Sequence, residues 1–232
     1  EAEGITSEMA KLWHNEANKT LNFETLGLVD RLYTLFLESF PDSPEYGEIQ
    51  YYAAELLWAR AQGEKNGRLA TELWERAANA FTAVVESGKV EGKQLKDSAY
   101  ATVLAWKNAL QVDPRTKQPP IPTEKELEKI PEPQPIPERE AKMLAAFDVY
   151  IKYIKDPKDK DLVEMKFLKG RMYWRYNHYE EAIPIFEDII ETHLDHEDSE
   201  ASINILLDIL IRTKKFSQMV ALGDKLLAND KY

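Results

Sequence analysis

The chain has 232 residues, and its 44% hydrophobic and 31% charged content excludes a wholly disordered protein. Its 41 Asp and Glu against 30 Lys and Arg give a net charge of −11, which disfavours nucleic acid as a partner because acidic chains repel phosphate backbones. There is no cysteine for disulfides, thiol catalysis or thiolate metal sites, and no apolar run approaches the roughly 20 residues that cross a bilayer, so we expect no direct membrane insertion.

Long stretches of the chain are predicted to be helical. These stretches consist of Ala, Leu, Glu, Lys and Arg, which lose little entropy in a helix, and runs of β-branched residues are scarce. The segment Phe40-Pro41-Asp42-Ser43-Pro44 predicts the end of one helix and the start of the next. Proline cannot continue a helix, and the neighbouring Asp and Ser are good caps.

A proline-rich insertion is predicted at 113–138, which holds 8 of the 12 prolines. We expect extended or polyproline II backbone there, with a short helix at 123–129. One interpretation is an exposed ligand for an aromatic-grooved domain, since Pro119-Pro120-Ile121-Pro122 is already ordered for binding. The other interpretation, which we prefer, is a segment packed against the helices.

A repeat pattern is clearest at 163–194. Small and aromatic or apolar residues recur there at fixed spacing, at Gly170, Tyr173, Tyr179, Ala182, Phe186 and Ile189. Small residues let two helices approach closely, and the aromatic residues fill the space beside that contact. Residues 176–178 are predicted to form the short turn between the helices. This spacing resembles the tetratricopeptide repeat (TPR), a helix–turn–helix unit of 34 residues.

The resemblance implies an all-α fold, a right-handed α-solenoid of about five TPR-like helix pairs with a proline-rich insertion. Residues 1–112 would hold pairs 1 and 2 and the first helix of pair 3, and 139–232 would hold the second helix of pair 3 and pairs 4 and 5. The whole would be one continuous solenoid domain. In pair 2 the two helices lie ten residues too far apart for the consensus, and 61–69, with Gly63 and Gly67, is predicted to hold the extension.

Particular segments of the repeats resemble one group of TPR proteins. Phe40 to Ser43 followed by Glu48-Ile49-Gln50-Tyr51-Tyr52, and Tyr179-Glu180-Glu181-Ala182, are similar to TPR proteins of the bacterial cell envelope. These include outer-membrane assembly lipoproteins, periplasmic cell-division coordinators and myxobacterial gliding-motility scaffolds. The resemblance implies a location in the periplasm or cell envelope, with the cytoplasm as the alternative.

In the TPR fold the first helix of each pair faces a concave groove. The resemblance places there the predicted partner-binding residues Tyr52, Arg60, Tyr100, Lys107, Asn108, Arg171, Trp174, Arg175 and Arg212, together with Lys11, His14, Asn18 and Asn204. The acids of this surface are Asp97, Glu164 and Asp208, so six Lys and Arg outnumber three acids. Aromatic residues and Arg are typical anchors of protein interfaces. The alternative is that basic side chains merely offset an acidic chain.

Other kinds of site are weakly indicated. His193, Asp195, His196 and Asp198 could suit a divalent cation, but their predicted position in a loop between helices favours simple solvation, and we expect no metal or cofactor. No GxSxG, glycine-rich phosphate loop or HExxH motif occurs, so we expect no enzyme. The carboxylate clamp of chaperone-binding TPR proteins is incomplete, because His14 and Ala53 replace its Lys and one Asn.

These observations predict a non-enzymatic adaptor of a bacterial cell-envelope assembly that holds a protein or peptide segment in the groove. Other subunits of that assembly are possible partners. The alternative is a self-associating structural module of a larger multi-repeat protein. Replacement of Arg171, Trp174 and Arg175 is predicted to abolish partner capture while the helical circular-dichroism signal persists.

Overall fold

A computed structural model describes residues 2–20, 23–111 and 129–228. Within these ranges the protein is all-α, with ten helices and no strand. The prediction of an all-α fold is therefore confirmed for the described residues. The helices are α1 (Ala2–Thr20), α2 (Phe23–Ser39), α3 (Tyr46–Gly63), α4 (Gly67–Glu86), α5 (Gly92–Leu110), α6 (Glu138–Tyr153), α7 (Lys160–Arg175), α8 (Tyr179–Thr192), α9 (Ser199–Arg212) and α10 (Phe216–Leu227).

The contacts group the residues into two compact units. The N-terminal unit comprises Glu1–Val112 and Asp148–Lys155, and the C-terminal unit comprises Asp113–Phe147 and Asp156–Tyr232. Helices that follow one another in the chain pack together: α1 to α5 in succession in the first unit, and α7 to α10 in the second.

The core of the N-terminal unit begins between α1 and α2. Small side chains of α1, Ala10 and Ala17, are fully buried in the same cluster as Val29, Tyr33 and Phe36 of α2. Further along, the indoles of Trp58 and Trp74 pack edge to face, with ring centroids 4.7 Å apart. Small residues on one helix thus allow large residues of the next helix to fill the interface.

The α3–α4 connection differs from the sequence-based expectation. Residues 61–69 do not form an extended loop, since α3 continues to Gly63 and α4 begins at Gly67. Asn66 caps α4 by accepting hydrogen bonds from the backbone N–H groups of Arg68 (3.1 Å) and Leu69 (3.3 Å). The residues in excess of the repeat consensus therefore lengthen two helices, and a three-residue connection suffices.

The C-terminal unit contains the segment with the clearest repeat pattern. Its α7 ends at Arg175 and α8 begins at Tyr179, so the predicted turn at 176–178 is confirmed. A Cβ added to Gly170 would lie 2.9 Å from Cζ of Phe186, a side chain that is fully buried. The close approach of these two helices at Gly170 therefore requires glycine.

Part of the proline-rich insertion packs against this α7–α8 turn. The backbone N–H of Gln134 donates to the carbonyl of Tyr176 (2.8 Å), and Asn177 Nδ2 donates to the carbonyl of Glu132 (3.0 Å). His178 Nε2 lies 2.9 Å from the carbonyl oxygen of Gln134. Residues 112–128, which include most of the predicted short helix at 123–129 and the Pro119–Pro122 segment, lie outside the described residues.

Candidate functional site

A cavity opens in the N-terminal unit on the face shared by α1, α3 and α5. It has a volume of about 480 Å³. Its lining residues are His14, Asn18, Tyr51, Glu55, Trp58, Ala59, Phe81, Asp97, Tyr100, Ala101 and Leu104. Residues of α1, α3 and α5 all line the cavity, so a segment that crosses this face would contact all three helices.

Aromatic rings supply much of the cavity wall. Phe81 of α4 is buried, and the rings of Tyr51 and Trp58 meet it edge to face at centroid distances of 6.4 and 6.2 Å. Tyr100 of α5 also lines the cavity and packs on Tyr150, with 6.3 Å between the ring centroids. Edge-to-face packing holds each ring in a defined orientation, so the wall is ordered before any ligand arrives.

Two carboxylates lie among these rings. Glu55 accepts a hydrogen bond from the hydroxyl of Tyr51 at 2.8 Å, and Asp97 lies exposed at the start of the α5 wall. Burial is the main cause that raises the pKa of Tyr51 above its ordinary value, and the charges of Glu55 and Asp97 raise it further. Both carboxylates therefore act electrostatically on the same cavity.

A second cavity of about 220 Å³ adjoins the first and shares His14, Asn18 and Glu55 with it. His14 Nδ1 lies 2.9 Å from the hydroxyl of Tyr33, and burial lowers the pKa of this histidine. The imidazole is therefore neutral at neutral pH. It adds a polar group to the cavities without a positive charge.

Six of the residues predicted to face the groove line these cavities: Lys11, His14, Asn18, Tyr52, Asp97 and Tyr100. Tyr100 lines the larger one and Tyr52 the smaller, where its hydroxyl donates to Glu48 at 3.2 Å. Lys11 also lines the smaller cavity, but its ammonium group is paired with Glu45 (2.8 Å) and Glu48 (2.7 Å).

The other predicted groove residues of this unit lie outside the cavities. Arg60 forms an ion pair with Asp30 of α2, which Arg76 also contacts at 2.9 Å. Lys107 and Asn108 are exposed in the last turn of α5. The structure thus brings His14, Asn18, Tyr52, Asp97 and Tyr100 together at the cavities, whereas Lys11 and Arg60 are paired with carboxylates.

The predicted residues of α7 and α9 form an internal network in the C-terminal unit. Arg171, Trp174 and Arg212 are each 8% exposed. Asp208 accepts hydrogen bonds from Trp174 Nε1 (2.7 Å) and Arg212 Nε (2.6 Å). Their contribution to partner binding stays a prediction. In the structure these side chains are buried, and those of Trp174 and Arg212 are hydrogen-bonded within the unit.

Arg175 is also engaged within this unit. It forms an ion pair with Glu140 and stacks over the ring of Tyr176, with 5.0 Å between the guanidinium carbon and the ring centroid. Substitution of Arg171, Trp174 and Arg175 would therefore disturb packing as well as any partner contact. Those three residues are less suitable for a binding test than residues of the open cavity.

Sequence reasoning did not select Tyr51, Glu55, Trp58 or Phe81 as site residues, because their repeat positions are usually core positions. One signal was available. Glu55 occupies the position at which the repeat normally has a small residue against the partner helix. A carboxylate at a packing position indicates that the helices leave space there.

The residues that could suit a divalent cation, His193, Asp195, His196 and Asp198, lie in the connection between α8 and α9. Among them, no group of three His, Asp or Glu side chains is placed to hold a metal ion. His196 instead accepts a hydrogen bond from the backbone N–H of Asp198 at 3.2 Å, within the α8–α9 connection. None of the described helices combines the length and the apolar character needed to cross a membrane.

Comparison with known proteins adds no family. No family model, no curated protein and no solved structure matches this chain.

Proposed function

We propose that this chain is a non-enzymatic adaptor that binds a segment of a partner protein on the face formed by α1, α3 and α5. The single observation that supports this most strongly is the cavity of about 480 Å³ lined by these three helices. Binding sites are typically concave, with apolar and aromatic walls and a few polar groups, and this cavity has that composition.

The pairing of the helices into repeats is part of the same proposal. We propose that the ten helices are five TPR-like pairs, α1–α2, α3–α4, α5–α6, α7–α8 and α9–α10, of a right-handed α-solenoid. The helix bounds support this pairing, because the connections at 64–66 and 176–178 are short. The close contact at Gly170 is the one that the repeat requires at this position.

The cellular setting is proposed from the resemblance to envelope TPR proteins. We place the chain in the periplasm or cell envelope of a bacterium, as an adaptor among the subunits of an assembly such as a motility complex. The cytoplasm is the alternative. Fractionation of the native cells followed by immunoblotting distinguishes the two compartments.

A peptide selection with a cavity-filling variant tests the adaptor function. A phage-displayed peptide library is selected on the purified chain, and the binding of the enriched peptides is measured by fluorescence anisotropy. Ala59 lines the cavity, so Ala59→Trp should weaken binding at least tenfold, roughly 1.4 kcal/mol. Ala83→Trp, on the exposed side of α4, is the matched control and should bind as the wild type does.

Two results would contradict the adaptor function. One is a selection that enriches no peptide with measurable affinity. The other is Ala59→Trp that binds the peptides as tightly as the wild type does, because a partner in the cavity could not tolerate the filled space.

The second candidate function is self-association, which the exposed apolar face of α10 favours. Phe216, Val220 and Leu227 lie on one side of this helix and are 55%, 60% and 80% exposed. Light scattering over a wide concentration range is the test. A monomer at all concentrations removes this candidate, whereas dimers that Val220→Glu dissociates would support it.

A further inference from the structure

The cavity on α1, α3 and α5 is lined by two carboxylates, Glu55 and Asp97. Three carboxylates outside this lining have cationic partners: Glu45 and Glu48 pair with Lys11, and Asp30 pairs with Arg60 and Arg76. In the cavity, Glu55 and Asp97 have no Lys or Arg partner among the described residues. Among the described lining residues the one ionisable base is His14, which is neutral at neutral pH. The described lining therefore carries the negative charge of Glu55 and Asp97 without a Lys or Arg.

The aromatic wall favours the same kind of occupant. The faces of Trp, Tyr and Phe rings carry partial negative charge and attract a cation placed within about 6 Å of the ring centroid. Tyr51, Trp58 and Tyr100 line the cavity together with the two carboxylates. A group that is both cationic and apolar along its length would satisfy the rings and the carboxylates at the same time.

The geometry points to a lysine or arginine side chain of a partner protein as the occupant of this cavity. We propose that its charged end lies between Glu55 and Asp97 and its aliphatic part lies against Trp58 and Tyr100. This proposal rests on the adaptor function and specifies the chemistry of its partner: the bound segment is basic.

Two features favour a protein segment over a small free cation. The adjoining cavity shares His14, Asn18 and Glu55 with the first, and its Asn15 and Asn18 amides offer donors and acceptors suited to a peptide backbone. The whole chain has a net charge of −11, which accelerates association with a basic segment.

The test uses synthetic peptides of one length and host sequence that differ at one central residue: lysine, arginine, norleucine, citrulline or glutamate. Binding to the full chain is followed by nuclear magnetic resonance, through the indole N–H of Trp58. Norleucine and citrulline retain most of the size of lysine and arginine without the charge. We expect the lysine and arginine peptides to bind at least tenfold more tightly than their neutral counterparts and to shift the Trp58 signal.

Variants of the two carboxylates test whether the lysine peptide binds in this cavity. Glu55→Gln with Asp97→Asn should weaken the lysine peptide about tenfold and abolish its preference over norleucine. Gln at 55 can still accept the hydrogen bond of Tyr51, so the variant should stay folded, as circular dichroism would show. Glu86→Gln with Glu91→Gln makes the same change of net charge at two exposed positions of this unit and should leave binding unchanged.

The outcomes separate this proposal from the adaptor function. Lysine and norleucine peptides that bind equally, or equal effects of the two double variants, would overturn the cationic occupant. If the peptides selected from the phage library still bind in a way that Ala59→Trp weakens, the adaptor function stands without it. Capped lysine amide that binds as tightly as the lysine peptide would overturn the protein source and indicate a small organic cation.

Discussion

At the scale of single residues, burial and charge pairing separate the side chains available to a partner from those that hold the protein together. Tyr100 and Tyr52 line open cavities. Trp174 and Arg212 are instead buried and share Asp208 as a hydrogen-bond acceptor. Aromatic residues and Arg occur in both groups, so residue type alone does not decide between binding and packing.

Removal of the shared acceptor should destabilise the C-terminal unit. Asp208→Ala leaves Trp174 Nε1 and Arg212 Nε without this acceptor, and we expect a loss of about 1–3 kcal/mol in the free energy of unfolding. Urea unfolding followed by circular dichroism measures it. Asn204→Ala, at an exposed position of the same helix, should change stability by less than about 0.5 kcal/mol. Similar effects of the two substitutions would contradict the network.

The stability of the N-terminal unit should depend on pH through His14. Burial lowers the pKa of His14 below the ordinary value of 6.5, so the unfolded chain takes up the proton first as pH falls. The stability that the buried, neutral His14 contributes to the folded state is complete above pH 6.5, and it is lost as the pH falls below this value. His14→Gln should therefore flatten the pH dependence of stability just below pH 6.5, measured by urea unfolding with tryptophan fluorescence. A variant profile parallel to that of the wild type would show that His14 does not contribute.

At the scale of elements, the helix pair α7–α8 shows what local pattern can predict. The spacing of Gly170, Ala182 and Phe186 predicted the close helix contact, and 176–178 predicted the turn; both agree with the structure. The cause is that small residues at helix crossings and turn residues between helices act over a few residues.

The α3–α4 connection shows where local pattern was insufficient. Gly63 and Gly67 were expected to lie within the extension between the two helices, but they stand at the last position of α3 and the first of α4. Asn66 provides the capping side chain that lets α4 begin there. The cavity could not be predicted either, because its lining residues are far apart in sequence and meet only through packing of α1, α3 and α5.

The Gly170 contact predicts opposite results for two glycines of the C-terminal unit. Alanine normally stabilises a helix interior by about 1 kcal/mol relative to glycine. At Gly170 the new Cβ would lie 2.9 Å from Phe186 Cζ and 3.2 Å from Ile185 Cγ2, so Gly170→Ala should instead destabilise by about 1–3 kcal/mol.

Gly223 is the matched control, because a Cβ there meets no atom within 4 Å. Gly223→Ala should raise the midpoint of thermal unfolding, and Gly170→Ala should lower it. Stabilisation by both substitutions would mean that α7 and α8 are not as close at Gly170 as the structure places them.

At the scale of the whole molecule, the acidic charge of the chain and the uncompensated charge of the cavity favour the same partner. The net charge of −11 acts over the Debye length, about 10 Å at 0.1 M salt, and increases the encounter rate with a basic segment. Glu55 and Asp97 act at contact. Added salt should therefore slow association more than it changes the preference for lysine over norleucine. Stopped-flow experiments measure the association rate, and equilibrium titrations measure the preference for lysine, each at two salt concentrations. An equal effect of salt on the rate and on the preference would contradict these separate roles.

The central claim is that a partner segment lies on the face of α1, α3 and α5. Hydrogen–deuterium exchange of the full chain, with and without a saturating selected peptide, tests it most directly, because bound peptide slows local helix opening. We predict added protection in the helical segments that line the cavity, 14–18, 51–59 and 97–104. Protection confined to α7 and α9, or to α10, would contradict the account.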